Sequence, residues 1–421
     1  MPRAIVDTMG LMLIAAGGLT VLLWLYLLLG RGEFWRMRRA FPAGGPSSAS
    51  VAVIIPARNE ADVIGRAVAS LLQQQGGHSL HIFLVDDGSS DGTAQAARDA
   101  AAVLQRQDML TLIQGAPLPS GWSGKLWAVE QGVERASAMR PEFFLFTDAD
   151  VVHAPDSLAT LVGIANAGPY DLASFMVKLH CETLPEKFLI PAFVFFFFKL
   201  YPPAWIASSR RSTAGAAGGC ILVRPAALQA TGGIPAIRHE VIDDCALAAR
   251  IKRSGGRLWL GASQATESIR PYRGLAGIAG MISRTAFNQL RHSTWLLLLA
   301  VLGMAVTYLL PPALVCFSLI GFSPGSFRHG LAPALLGATA WLLMAVSFLP
   351  VLRLYRRSPL WGAALPLMAG FYMGATFQSA WKYWSGRGGE WKGRVQDPLR
   401  ARDSQAGAGQ LIAEDAEARR K

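Results

Sequence analysis

The chain has 421 residues, of which 52% are hydrophobic and only 16% charged, and its formal net charge is +12. That length exceeds one ordinary domain and fits a large domain plus membrane segments. Lys and Arg concentrate beside apolar runs, and no basic block has interleaved stacking aromatics. Anionic lipid headgroups therefore explain the charge better than nucleic acid, which is excluded as a partner. The four cysteines (Cys181, Cys220, Cys245, Cys316) form no CxxC and have no His at zinc spacing, so they read as reduced thiols of a cytosolic domain.

Met9 to Leu29 is an uncharged apolar run of the length that crosses a bilayer. Arg31, Arg36, Arg38 and Arg39 follow it, against Arg3 alone before it, which places the N-terminus outside and the rest of the chain in the cytoplasm. A cleaved signal peptide would carry its charge on the other flank and end in small residues. Residues 1–40 are thus expected to be an anchor with a basic flank, and residues 41–50, rich in Gly, Pro and Ser, a linker.

From residue 51 the pattern alternates strand and helix. Val51 to Pro56 reads as a buried strand stopped by proline, Asp62 to Gln75 as a helix and His81 to Val85 as a strand. A helix from Ala94 to Leu104, a strand near Leu110 to Ile113 and a helix from Leu126 to Met139 continue the rhythm. Phe143 to Phe146 is then a strand buried on both faces, and Asp171 to Val177 another. This is an α/β fold with a mostly parallel, Rossmann-like sheet, in which ligands sit at the carboxyl ends of strands, where Arg58, Asp87 and Asp148 fall. Asp148 and Asp150, spaced i, i+2 at a strand end, can bracket one hard cation, Mg²⁺ or Mn²⁺, that awaits the oxygens of a diphosphate. The competing reading is two aspartates that merely solvate a loop. His153 reads as a packing residue.

Three motifs now carry a resemblance. Ile54-Ile55-Pro56-Ala57-Arg58-Asn59-Glu60, Val85-Asp86-Asp87-Gly88-Ser89-Ser90-Asp91-Gly92-Thr93 and Thr147-Asp148-Ala149-Asp150 resemble family 2 glycosyltransferases of the GT-A fold, over roughly residues 50 to 295. Lys125 after a glycine, the N-terminal anchor and the C-terminal apolar segments resemble the lipid-glycosylating branch. The likeness is to hopene-associated glycosyltransferases in particular, and more distantly to ceramide and carotenoid glycosyltransferases. The resemblance implies a nucleotide-sugar donor and a lipid acceptor. It gives Asp87 and Glu60 the nucleoside, places Pro56 and Arg58 on the donor side, and gives Lys125 the diphosphate and Asp148 with Asp150 the metal diphosphate. For Arg58, surface solvation is an equal alternative. The family has Glu-Asp with the second acid as catalytic base; here Asp243-Asp244 stands there, so Asp244 inherits the role. Helix-start capping by two acids is the competing account. Processive members carry Gln-x-x-Arg-Trp where this chain has Asn288-Gln289-Leu290-Arg291-His292. Donor or product contact by Asn288 and Arg291 is implied, while processive polymerisation is not.

Phe188 to Leu200 is too short to span a bilayer and contains Pro191, and a crossing there would separate Asp244 from Asp150. Residues 185–205 are expected at the membrane interface, with a buried core helix as the alternative. Gly274 to His292 projects Leu275, Ile278, Ile282 and Ala286 onto one face and Arg284, Asn288 and Arg291 onto the other, as a helix lying on the membrane. The glycosyltransferase domain is thus expected over 51–294 and a membrane region over 295–384. Spans are expected at Trp295 to Ile320, interrupted by Pro311-Pro312, at Leu331 to Leu352 and, more weakly, at Pro359 to Trp384. One C-terminal segment is expected to be re-entrant or interfacial, keeping the tail of 385–421 cytosolic. Trp391-Lys392-Gly393-Arg394, similar to a closing motif of related membrane glycosyltransferases, favours this, and the tail end is expected to be disordered. The expected enzyme is an inverting, metal-dependent glycosyltransferase of a bacterial inner membrane, its catalytic domain facing the cytoplasm. A polyprenyl-phosphate glycosyltransferase and a non-catalytic scaffold are the alternatives.

Overall fold

Ser50–Ala57 (β1) is apolar almost throughout because it runs through the middle of a sheet and is covered on both faces. The computed structural model describes residues 3–37, 49–320, 327–386, 390–391 and 394–395. The expected linker lies outside these residues except at its last two positions, as do the tail beyond 395 and the middle of the Trp391–Arg394 motif. In chain order follow α1 (Arg3–Leu25, before β1), α2 (Ile64–Leu72), β2 (Ser79–Asp86), α3 (Thr93–Val103), β3 (Leu110–Gln114), α4 (Gly124–Ser137), β4 (Phe143–Thr147), β5 (Val151–His153), α5 (Ser157–Ala167) and β6 (Leu172–Lys178). Then come α6 (Leu184–Leu200), α7 (Pro203–Ala207), β7 (Cys220–Val223), α8 (Pro225–Ala230), α9 (Asp243–Arg253), β8 (Leu258–Ser268), α10 (Gly274–Gln289), α11 (Thr294–Met304), α12 (Leu310–Ile320), α13 (Phe327–Leu354) and α14 (Leu365–Trp384).

Eight strands form one sheet in the order β3-β2-β1-β4-β7-β6-β8-β5. β1 to β4 run parallel, as do β6 and β8, while β7 is antiparallel to both β4 and β6. Pro56 does not stop β1: it pairs in register with Val85. On the other side β4 pairs only with residues 51–54, so the missing N–H of Pro56 leaves no ladder bond unmade there. The chain reverses direction across β1, to β2 on one side and β4 on the other, and the loops at their carboxyl ends make a crevice.

Alternation along β1 divides the core. Val51, Val53 and Ile55 pack with α2, α3 and α5, whereas Ala52 and Ile54 join a second cluster. That second cluster continues through Phe144 and Ile221 into Phe195 of α6, Phe348 of α13 and Met368 of α14. The sheet and the apolar helices thus share one core.

Among the described residues five helical stretches are long and apolar enough to cross a membrane: Thr8–Gly30, Leu184–Ala207, Thr294–Ser318, Leu331–Leu354 and Pro359–Trp384. The second is longer than the Phe188 to Leu200 run expected to be too short, because it starts earlier, at the Thr183 cap, and continues through α7 to Ala207. Pro311-Pro312 does not interrupt the third. A π-turn at Ala305–Leu309 joins α11 to α12, and the Thr307 carbonyl accepts from the Trp24 indole at 2.9 Å. That carbonyl faces Pro311, which has no N–H to give it, so a side chain on α1 satisfies it instead. Pro191 lies inside α6 without ending it.

Both ends of α6 are tied to the α/β domain. At its start the buried Glu186 accepts from the Tyr272 N–H at 2.7 Å and closes a capping box with Thr183. Beyond its end, the Lys252 ammonium of α9 donates to the carbonyls of Trp205, Ile206 and Thr213 at 2.7–2.9 Å. The buried face of α10 also differs from the projected one: Ile278 and Ile282 are buried with Ser283 and Phe287, while Leu275 is exposed. The cause is α14, whose Ser379 hydroxyl inserts into the helical ladder, donating to the Ser283 carbonyl and accepting from the Phe287 N–H. Arg291 falls past the end of α10 in a left-handed conformation and is exposed, so it does not share a helical face with Arg284.

Candidate active site

The two loops that follow β1 and β2 hold each other. Asn59 takes a left-handed φ of 52° and its side chain accepts from the Ser90 N–H at 2.9 Å. Ser89, Asp91 and Thr93 accept from the backbone N–H groups of Asn59, Ala61 and Glu60 in turn. Every polar residue of the second motif thus has a local reason to be polar, and the result is a fixed edge that presents Asp87 and Glu60, both buried. Asp86 accepts from the Ser89 N–H and is structural. Arg58 donates to the carbonyl of Asp87 and lies 3.6 Å from its carboxylate.

A second cluster lies where β4, α4 and α9 meet. Ser123 caps α4 by accepting from the Leu126 N–H, which sets Lys125 in the first turn. The Lys125 ammonium lies 3.1 Å from Asp148 and 3.3 Å from Asp243. Burial works against that charge, yet Asp148, Asp243 and Asp244 override it and hold Lys125 protonated well above its ordinary range. Asp244 accepts from the Gly218 N–H at 2.8 Å and from its own following N–H at 2.7 Å. Burial and the neighbouring Asp243 raise its pKa to about 6, against the opposing pull of Lys125 and the two N–H donors. These groups open on a cleft whose polar side is Lys125, Asp148, Asp243 and Asp244 and whose apolar side includes Phe146, Ile221, Ile234 and Leu247. Pro56 lines the same cleft.

Gly218 is needed there for space. A Cβ on it would stand 3.3 Å from the Asp244 carboxylate and 3.5 Å from the Lys125 ammonium. Gly218→Ala is expected to shift Asp244 by a few tenths of an ångström. Turnover of any reaction that uses this carboxylate should fall about tenfold while the melting temperature stays unchanged, which steady-state rates and a thermal melt would check.

Asp150 faces a different set of partners. Ser268 donates to it at 3.0 Å, and the Arg270 guanidinium, 3.5 Å away, also contacts Glu60. Arg270 thus joins the nucleoside-side acid to the second acid of the Asp-x-Asp pair. It belongs to no motif and sits two residues past β8, so only its position in space marks it. Tyr272 lies in the same region; burial and the charge of Asp150 hold its phenol well above the usual range. His153 is buried with Thr147, 3.0 Å from its hydroxyl, and burial lowers its pKa to about 4, so it is a neutral packing residue. Asn288 and Arg291 are not among the residues lining the cleft.

The sheet order and the crevice at the carboxyl ends of β1, β2 and β4 define a GT-A fold. Residues 52–232 match the family model described as glycosyl transferase family 2. A 4,4'-diaponeurosporenoate glycosyltransferase of Staphylococcus aureus strain bovine RF122 / ET3-1 is 34% identical over 133 residues, 29% of this chain and 32% of that protein. Its counterpart in strain USA300 is 33% identical over the same shares. The chain thus spans about a third of the length of these curated relatives. Among solved structures, a mannosyltransferase from Pyrobaculum calidifontis in complex with GDP-Man and Mn²⁺ superposes with a TM-score of 0.54 at 20% identity, covering 90% of this chain and 99% of that one. At that identity the likeness is one of fold.

Proposed function

We propose that this protein transfers a sugar from a nucleotide donor to the hydroxyl of a lipid, with inversion, at the cytoplasmic face of a bacterial inner membrane. The observation that carries this is the meeting of Asp148, Lys125 and Asp244 in a half-apolar cleft of a domain whose core is continuous with long apolar helices. In this reading Asp87 and Glu60 bind the nucleoside, with Arg58 orienting Asp87. Asp244 takes the proton of the acceptor hydroxyl as that oxygen attacks the anomeric carbon, and the nucleoside diphosphate departs on the opposite side. Lys125 leaves Asp148 and turns its charge to the departing diphosphate.

Asp148 and Asp150 are hard oxygen donors at one strand end and suit Mg²⁺ or Mn²⁺. Among the described residues no group of three or more His, Cys, Asp or Glu side chains gathers around one point, so the remaining ligands would be diphosphate oxygens and water. Such a cation would supply positive charge against the leaving group. A lipid acceptor fits because α6, tied at both ends to the α/β domain, is packed into the same core as the apolar helices α13 and α14, which brings that domain against the membrane segments. The relatives named as 4,4'-diaponeurosporenoate glycosyltransferases support an apolar acceptor, and the resemblance noted from the sequence makes a hopanoid the first to try.

Calorimetry of the detergent-purified protein should show nucleoside diphosphate binding that strengthens at least about tenfold with Mn²⁺. Lipid extracts from cells with and without the gene should differ by one hexose-sized mass increment. A scaffold with a degenerate domain would show no metal-dependent nucleotide affinity. A phosphate-bearing product would point to a polyprenyl phosphate acceptor instead.

A further inference from the structure

Away from the cleft, two guanidiniums gather where α1 and α6 end. Arg31, the first residue after the Thr8–Gly30 span, donates to the Lys199 carbonyl at 2.8 Å. Its guanidinium lies 5.2 Å from the centre of the Trp205 ring, and that of Arg211 lies 5.0 Å from the same centre. Arg210 and Arg211 are exposed. Among the described residues none of Arg31, Arg210 and Arg211 has a carboxylate within 4.0 Å. The sequence shows why: no acid occurs between Glu186 and Glu240, and Glu33, the only acid between Asp7 and Glu60, pairs with Arg36. Like charges sharing one indole repel, and stacking on the ring offsets that only in part.

The place is built rather than incidental. Lys252 fixes the Trp205–Thr213 stretch through three carbonyls. Gly32 has a φ of 60°, and a Cβ there would stand 2.7 Å from the Trp205 ring, so the turn off α1 lies directly on the indole. Both helices are apolar up to this point, which puts the ring and its two guanidiniums at the level where lipid headgroups begin.

We propose that Arg31, Trp205 and Arg211 form a binding site for the phosphodiester of an anionic phospholipid headgroup. The site anchors the edge of the α/β domain to the bilayer. The two guanidiniums present planar donors to the phosphate oxygens, and the indole orients them. This site is independent of the glycosyl-transfer chemistry, because none of its residues lines the cleft.

Native mass spectrometry of the full chain in neutral detergent tests it, with phosphatidylglycerol and phosphatidylcholine as probes. Wild type should retain phosphatidylglycerol at least about tenfold better than phosphatidylcholine, and high salt should reduce the difference. The double variant Arg31→Gln/Arg211→Gln should lose most of that preference. A charge-matched control, Arg98→Gln/Arg135→Gln, alters exposed residues of α3 and α4 and should keep it. Nucleoside diphosphate binding, measured alongside, should be equal in all three proteins and reports that each is folded. Equal retention of the two lipids by wild type, or an undiminished preference in the double variant, would overturn the proposal. So would displacement of the lipid by inorganic phosphate at comparable concentration, which would make this a site for free phosphate.

Discussion

Asp244→Asn is expected to lower sugar transfer by about 10³-fold, within the range general bases contribute, while donor affinity changes less than about threefold. The asymmetry follows from placement. Asp244 is held by the Gly218 and Cys245 N–H groups, whereas Lys125 pairs with Asp148 and Asp243, so losing the Asp244 carboxylate leaves the Lys125–Asp148 pair of the donor side in place. Equal loss of binding and turnover would make it a structural residue. The pH profile supplies a second check. A base must be ionised to act, and burial with Asp243 raises Asp244 to about 6. Transfer should therefore be full above about pH 7 and fall as pH drops through 6, whereas an unperturbed aspartate would hold its activity to near pH 4.

What the sequence revealed and what it concealed have physical causes. Phe143 to Phe146 and Val51 to Pro56 were legible because central strands must be apolar on both faces, and the motif loops because their polar residues bond one another locally. β7 escaped notice because four residues between Gly218-Gly219 and Arg224-Pro225 carry no period, and its antiparallel pairing is decided by strands far away in the chain. β8 includes Gly261, Ser263 and Gln264, which blur its alternation. The face of α10 was not legible because a polar residue, Ser283, is buried there, and its hydroxyl is satisfied by the Gly280 carbonyl and by the Lys382 ammonium of α14, 99 positions on. The domain limits drawn from composition suggest separate bodies. The shared core from Ile54 to Met368 depends on long-range packing that periodicity does not encode.

Asp243 shows the same limit in the site itself. From the sequence it was a departure from Glu-Asp by one methylene; in the structure it is a partner of Lys125 at 3.3 Å and the second cause of the raised Asp244 pKa. Arg270 could not be found by motif at all, yet it ties Glu60 to Asp150.

Lys125→Met tests how these charges are shared. Removing the ammonium leaves Asp148, Asp243 and Asp244 around one cleft with no cation among them. Lys125 opposes the rise of the Asp244 pKa, so its loss must push that pKa further above 6. The acid limb of the pH profile should move upward by about one unit, so that activity at pH 7 falls partly because Asp244 is protonated. Raising the pH restores that part alone. The remainder, about 10²-fold, is the lost stabilisation of the departing diphosphate and should persist at every pH. Binding should separate in the opposite sense: with Asp148 released from its ion pair, affinity for Mn²⁺ alone should increase, while the gain in nucleotide affinity that Mn²⁺ brings should shrink. A variant with an unmoved acid limb would show that Lys125 and Asp244 do not share a field, and would separate the base from the donor site that this geometry joins.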